Sequence, residues 1–263
     1  MSIYGHMRVG ILIIGSLFWD WSHIRCRWRQ ERLCCSQRRV VTAPIRYGKK
    51  AEKRGNTYTM VLSRSAGHGK ALVVPAKAEC SKPEHLLHEA GRLWAAERDV
   101  EEIEGICANW GKVCLLPNPK TDPKNELLKA WSNHIAELGA DYSALHRAMD
   151  EQPVLDHKTG LALFDWPHDV ETNENLSGFD LLLMTANSPT LTRGQYASAK
   201  QIASAWREDT ADNVMYFYNN RHVGITTFED NDILQFLRGE PPNAARTRRA
   251  RRGPERRRVS AKR

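Results

Sequence analysis

The residues best suited to chemistry lie in the run G-I-L-I-I-G-S-L-F-W-D, residues 10–20. Gly10 to Ile14 is a short apolar, β-branched stretch that Gly15-Ser16 breaks abruptly, which predicts a buried strand entering a tight turn. A glycine there leaves the turn's N–H groups unobstructed, and the Ser16 hydroxyl stands beside them. Together these donors suit an anionic or carbonyl oxygen. Phe18, Trp19 and Trp21 follow as walls for a pocket. By itself the pattern also reads as an ordinary strand-ending turn.

Acid–base candidates lie further on. Between residues 83 and 104, Leu86, Leu87, Ala90, Leu93, Trp94 and Glu97 recur at helical spacing, with Ser81 as cap, Pro83 at the start, an end near Arg98 to Glu104 and Gly105 as stop. Glu97 sits beside Trp94 and two alanines, an apolar setting of the kind that lifts a carboxyl pKa. Arg98, Asp99, Glu101 and Glu102 also crowd it, as on a solvated helix face, and Glu89 is a rival at another helical turn. Arg46 carries a planar fork that matches a substrate carboxylate, although a strand arginine also reads as a surface charge. The ten histidines form no H-x-x-x-H or H-E-x-x-H pair and the six cysteines no C-x-x-C, so no metal site is expected. His68, in A-G-H-G, reads as a turn residue, and Trp131, Trp166 and Trp206 read as core.

The elements that must position these groups follow from patterning. Asp20 to Arg39 is arginine-rich, helical or irregular, and reads as a cover over the first turn. Val40 to Tyr47 is a strand with Pro44 at an edge, bulge or start, and G-K-K-A-E-K-R-G-N is a polar loop. Thr57 to Ser63 and Lys70 to Pro75 read as strands of a hairpin, and Gly111 to Pro117 as another strand. In the second half, Asn125 to Leu138 is an amphipathic helix, Phe179 to Thr185 a buried strand and Gln195 to Arg207 a helix. Val214 to Tyr218 and His222 to Phe228 read as a hairpin, and Asn231 to Leu237 as a last helix.

The formal charge of +8 belongs to one end of the chain: residues 244–263 hold ten Lys/Arg and one Asp/Glu, and the rest is nearly neutral. The body therefore gives no general reason to expect a polyanion partner. The tail, residues 241–263, is disordered by composition and suits weak, non-specific polyanion binding. With 41% hydrophobic residues, 1–240 is expected to form a single cooperative unit, with no flexible linker between 8–117 and an extension over 118–240. No apolar run approaches the ~18 residues of a membrane span, and no secretory pattern is seen, so reduced thiols and a cytoplasmic location are expected.

The order of these pieces resembles the γ-glutamylcyclotransferase family, in its ChaC-like branch, over roughly residues 8–117. Gly15, Ser16, Leu17 and Trp19 match the family's Y-G-S-L loop, with Ile14 in place of its tyrosine. Arg46, Tyr47, Arg54 and Gly55 resemble its arginine-rich second strand and R-G turn, and Glu97 falls four residues after Leu93 as the family's catalytic glutamate follows its leucine. The second half has no counterpart in it. The resemblance implies an α+β fold, a mixed β-barrel or sheet with packed helices, extended here by a C-terminal α/β region. It also implies an enzyme that releases 5-oxoproline from γ-glutamyl amines or peptides, with Glu97 catalytic, the other matched residues binding substrate, and no metal or organic cofactor. The substrate's α-amine attacks its own γ-carbonyl, so positioning supplies much of the rate and one acid–base group suffices. The alternative is the same fold kept as a non-catalytic module for a small ligand or a protein.

Overall fold

In the computed structural model, residues 7–51, 57–122, 125–143, 153–208 and 211–239 are described. Among them the chain is mixed α+β, with one seven-stranded mixed sheet and six α-helices. The strands are β1 (Val9–Ile13), β2 (Arg39–Ala51), β3 (Thr57–Leu62), β4 (His68–Pro75), β5 (Cys107–Ala108), β6 (Gly111–Pro117) and β7 (Leu181–Asn187). The helices are α1 (His23–Arg32), α2 (Pro83–Arg98), α3 (Glu126–Ser143), α4 (Ala199–Glu208), α5 (Ala211–His222) and α6 (Asp230–Arg238). None is long and apolar enough to cross a membrane.

The sheet order is β3-β2-β4-β1-β7-β6-β5. β1 is buried along its whole length, as its unbroken apolar run requires, and it lies parallel to β7 and antiparallel to β4. β7 pairs with β6 on its other side, so a strand of the second half sits between two strands of the first. Leu181 to Met184 are fully buried there.

Three expectations are corrected. Thr57–Leu62 and His68–Pro75 do not pair with each other: both lie antiparallel to the long β2, β4 along Arg39 to Pro44 and β3 from Ile45 onward. The change of partner falls at Pro44, which has no N–H to continue a ladder. Residues 214–218 are not a strand but part of α5, which runs to His222; Tyr216, Phe217 and Asn220 bury one helical side of it, and Thr226 makes only an isolated bridge to Lys70. Finally, α2 ends at Arg98, within the expected Arg98 to Glu104, but Asp99 and not Gly105 is its stop. Asp99 takes a left-handed conformation, and its N–H reaches the Ala95 and Ala96 carbonyls. Its start also differs, because Lys82, not Ser81, is the capping position and no side chain caps it. The arginine-rich segment resolves into α1, capped by the Ser22 hydroxyl. Arg54, Gly55 and the basic tail lie outside the described residues.

Candidate active site

β1 ends at Ile13, and residues 16–18 form one 3-10 turn headed by Gly15. The Gly15 backbone is extended, at φ −170°, so its conformation does not demand glycine. Space does: the Tyr216 hydroxyl, from α5, stands 2.8 Å from where a Cβ would be. The same hydroxyl accepts from the Met60 N–H at 3.3 Å. A phenol of the second half is thus held against the turn.

Two ties fix the residues after the turn. Trp19 Nε1 donates to Asn220 Oδ1 at 2.7 Å, and its ring meets Tyr216 edge-on at 5.7 Å. Arg29 donates to the Leu17 and Asp20 carbonyls, each at 2.7 Å. Leu17 itself is buried in the core, as is Ile14.

The same end of the sheet holds Glu97. β1 and β7 run parallel, pairing Val9 with Leu181 and Ile11 with Leu183, so the end of β1 that leads into Gly15 and the end of β7 at Asn187 lie at the same end of the sheet. Asn187 Nδ2 donates to Glu97 Oε1 at 3.5 Å. From the other side Arg25, on α1, donates to the Ala96 and Glu97 carbonyls at 3.1 and 3.2 Å and pairs with Asp20 at 2.7 Å. A cation at a helix C-terminus adds donors to carbonyls that have few or no partners within the helix. It also ties the last turn of α2 to the segment that follows Gly15-Ser16. Gly15, Ser16 and Glu97 are all partly exposed. Glu89, the rival, is buried and ion-paired with Arg32, which occupies its carboxylate.

Lys49 joins this group, and no sequence pattern marked it. A bulge between Tyr47 and Lys49 interrupts the β2–β3 ladder at Gly48, where a Cβ would meet Val61 at 2.6 Å and the Tyr196 ring at 2.8 Å. Beyond the bulge, Lys49 Nζ donates to the Trp110 carbonyl at 3.1 Å and lies 4.3 Å from that ring's centroid. Trp110 in turn stacks on Trp94, at 4.8 Å between centroids. Burial pulls the Lys49 pKa down to about 8, against the opposing pull of the Glu97 charge. The segment after β7 closes over the bulge: Ser188 N–H donates to the Trp110 carbonyl at 3.1 Å and Thr190 N–H to the Gly48 carbonyl at 2.7 Å.

Two expected binding residues point elsewhere. Arg46 pairs with Glu229 at 3.1 Å, between the rings of Tyr196 at 4.1 Å and Phe228 at 5.6 Å. Burial raises the Glu229 carboxyl and the guanidinium beside it pulls it back. Tyr47 has no exposed surface and packs edge-on against Trp206 at 4.8 Å, a core position, because odd-numbered residues along this part of β2 face the packed interior. Burial, reinforced by Asp230 and Tyr216, pushes its phenol well above the ordinary range.

Two surface clefts are present among the described residues, the first walled by the three aromatics that follow the turn, as expected, though not by Gly15 or Ser16. One, of about 500 Å³, is walled by Phe18, Trp19, Trp21 and Arg29; the other, of about 760 Å³, by Pro117, Pro119, Glu126 and Leu128. Neither is lined by Glu97, Lys49 or Asn187. Among the described residues no three His, Cys, Asp or Glu side chains come together as a metal site. Comparison of the chain with protein-family models, curated proteins and solved structures finds no match.

Proposed function

We propose that this chain is a γ-glutamylcyclotransferase-like enzyme of the cytosol that releases 5-oxoproline from γ-glutamyl amines or peptides. The observation that carries the reading is the Asn187–Glu97 contact, which holds a partly exposed carboxylate at the strand ends where the Gly15-Ser16 turn begins. In the proposed reaction Glu97 takes a proton from the substrate's α-ammonium, and the freed amine attacks the γ-carbonyl carbon. As the new ring C–N bond forms, negative charge gathers on the carbonyl oxygen beside the turn's N–H groups. The γ-amide C–N bond then breaks as Glu97 returns the proton to the leaving nitrogen, and the extra proton on the new ring nitrogen passes to the released amine, leaving the lactam N–H and an alkylammonium. The turn and the glutamate act on one substrate molecule, so their mutual placement matters more than added reactive groups.

Glu97→Gln keeps size and hydrogen-bonding shape but accepts no proton. Release of 5-oxoproline from a panel of γ-glutamyl compounds, glutathione included, should fall by roughly a hundredfold or more, with circular dichroism unchanged. Substituting Glu89 should act mainly on stability. Equal turnover in the Gln variant would remove Glu97 from the mechanism. No turnover of any γ-glutamyl compound by the wild type would favour a non-catalytic binding module.

A further inference from the structure

One short segment braces both Glu97 and an ammonium. Lys49 Nζ donates to the Trp110 carbonyl, which also accepts the Ser188 N–H, and Ser188 follows Asn187, whose side chain donates to Glu97 Oε1, so each charge is held by a neutral partner on neighbouring residues. An ammonium has three N–H donors. Among the described residues the Trp110 carbonyl is the acceptor that takes one. Two cations near the turn are occupied, Arg25 by Asp20 and two α2 carbonyls and Arg29 by the Leu17 and Asp20 carbonyls, while Arg38 lies 5.5 Å from the centroid of the Phe18 ring.

We propose that Lys49 anchors the α-carboxylate of a ligand whose α-ammonium meets Glu97, so that the site recognises a free α-amino-acid head. A fixed positive and a fixed negative charge, near each other but bonded to different partners, complement a zwitterion that carries both charges on one carbon. The stacked pair of Trp94 and Trp110 keeps the ammonium in place, and partial burial strengthens its pull on an anion. The inference rests on the cyclisation reading for what happens next, but head recognition is measurable without turnover.

Calorimetric titration of the full chain with L-glutamate, which has no γ-amide to cleave, its α-amide and N-acetyl-L-glutamate tests it. The wild type should bind L-glutamate roughly tenfold or more tightly than either analogue, the span expected for one charge-assisted hydrogen bond. Lys49→Met should weaken L-glutamate to the level of the α-amide and leave the α-amide unchanged, while Lys49→Arg keeps the preference. Lys49→Gln serves as a second neutral variant, and thermal melts report folding. A preference for L-glutamate over its α-amide that survives in both neutral variants, or a wild type that binds none of the three, would overturn the assignment. Head preference without 5-oxoproline release would sink cyclisation and spare Lys49. Release from γ-glutamyl α-amides as fast as from free acids would do the reverse.

Discussion

Asn187, the last residue of β7, donates its side-chain amide to Glu97 in the last turn of α2, at 3.5 Å. That contact is at the outer limit of a hydrogen bond, so it adds little to the stability of the fold, and in the proposed reaction its part would be to orient the carboxylate. Asn187→Leu should therefore lower kcat for 5-oxoproline release about tenfold or more, through misplacement, with KM and the melting temperature little changed. A loss confined to the melting temperature would make Asn187 a packing residue only.

Gly111 sets where Asn187 can lie. A Cβ there would stand 2.5 Å from Asn187 Oδ1 and 3.5 Å from both the Ala186 carbonyl and the Trp94 ring. Gly111→Ala should displace the Asn187 side chain, reproduce most of its kinetic loss and destabilise by roughly 1–3 kcal/mol. The double variant with Asn187→Leu should lose little further activity, because both changes break one contact. Full additivity of the kinetic losses would separate the two residues.

The long elements were legible because each repeats its own period. β1, β6, β7, α2, α3, α4 and α6 coincide with their apolar patterns to within a few residues. α5 was not legible: Val214, Tyr216 and Tyr218 alternate as in a strand and Asn219-Asn220-Arg221 resembles a turn. Packing of Tyr216, Phe217 and Asn220 on one side decides for a helix. In the site, Gly15, Ser16 and Glu97 announce themselves by local motif. Lys49 does not, since it stands among other lysines in what looks like a polar loop and is turned inward by a bulge at Gly48. Asn187 was equally silent, because its partner lies 90 residues away in sequence.

The position of β7 predicts how the halves fold. It pairs with β1 along Val9 to Ile11 and with β6 along Gly111 to Pro117, so removing it strips a neighbour from both. A fragment of residues 1–117 should fail to fold by circular dichroism, and the whole chain should unfold in one transition with coincident far-ultraviolet and tryptophan signals. A stable, dispersed fragment, or two resolved transitions, would show two independent domains.

Stability above neutral pH should reveal one buried and one partly buried lysine. Lys112 is fully buried, donates to the Tyr142 carbonyl and lies 4.4 Å from that ring's centroid; burial lowers its pKa from 10.5 to about 8, while Cys107 and Cys114 pull it up. Lys49 is lowered to the same value by burial against Glu97. In each case the native state releases its proton near pH 8 and the unfolded chain holds its own to about pH 10.5, so the unfolded state binds more protons between these values and stability rises with pH. The thiols act oppositely from pH 9.0 upward: burial holds Cys80 protonated to about 11 and Cys114 to about 12, whereas unfolded thiols ionise near 9.0. The urea midpoint should therefore climb between pH 8 and 9, level off and fall at higher pH. Lys112→Met should remove about half of that climb, and combining it with Lys49→Met should remove nearly all of it. A climb undiminished in the double variant would assign the pH dependence to other groups.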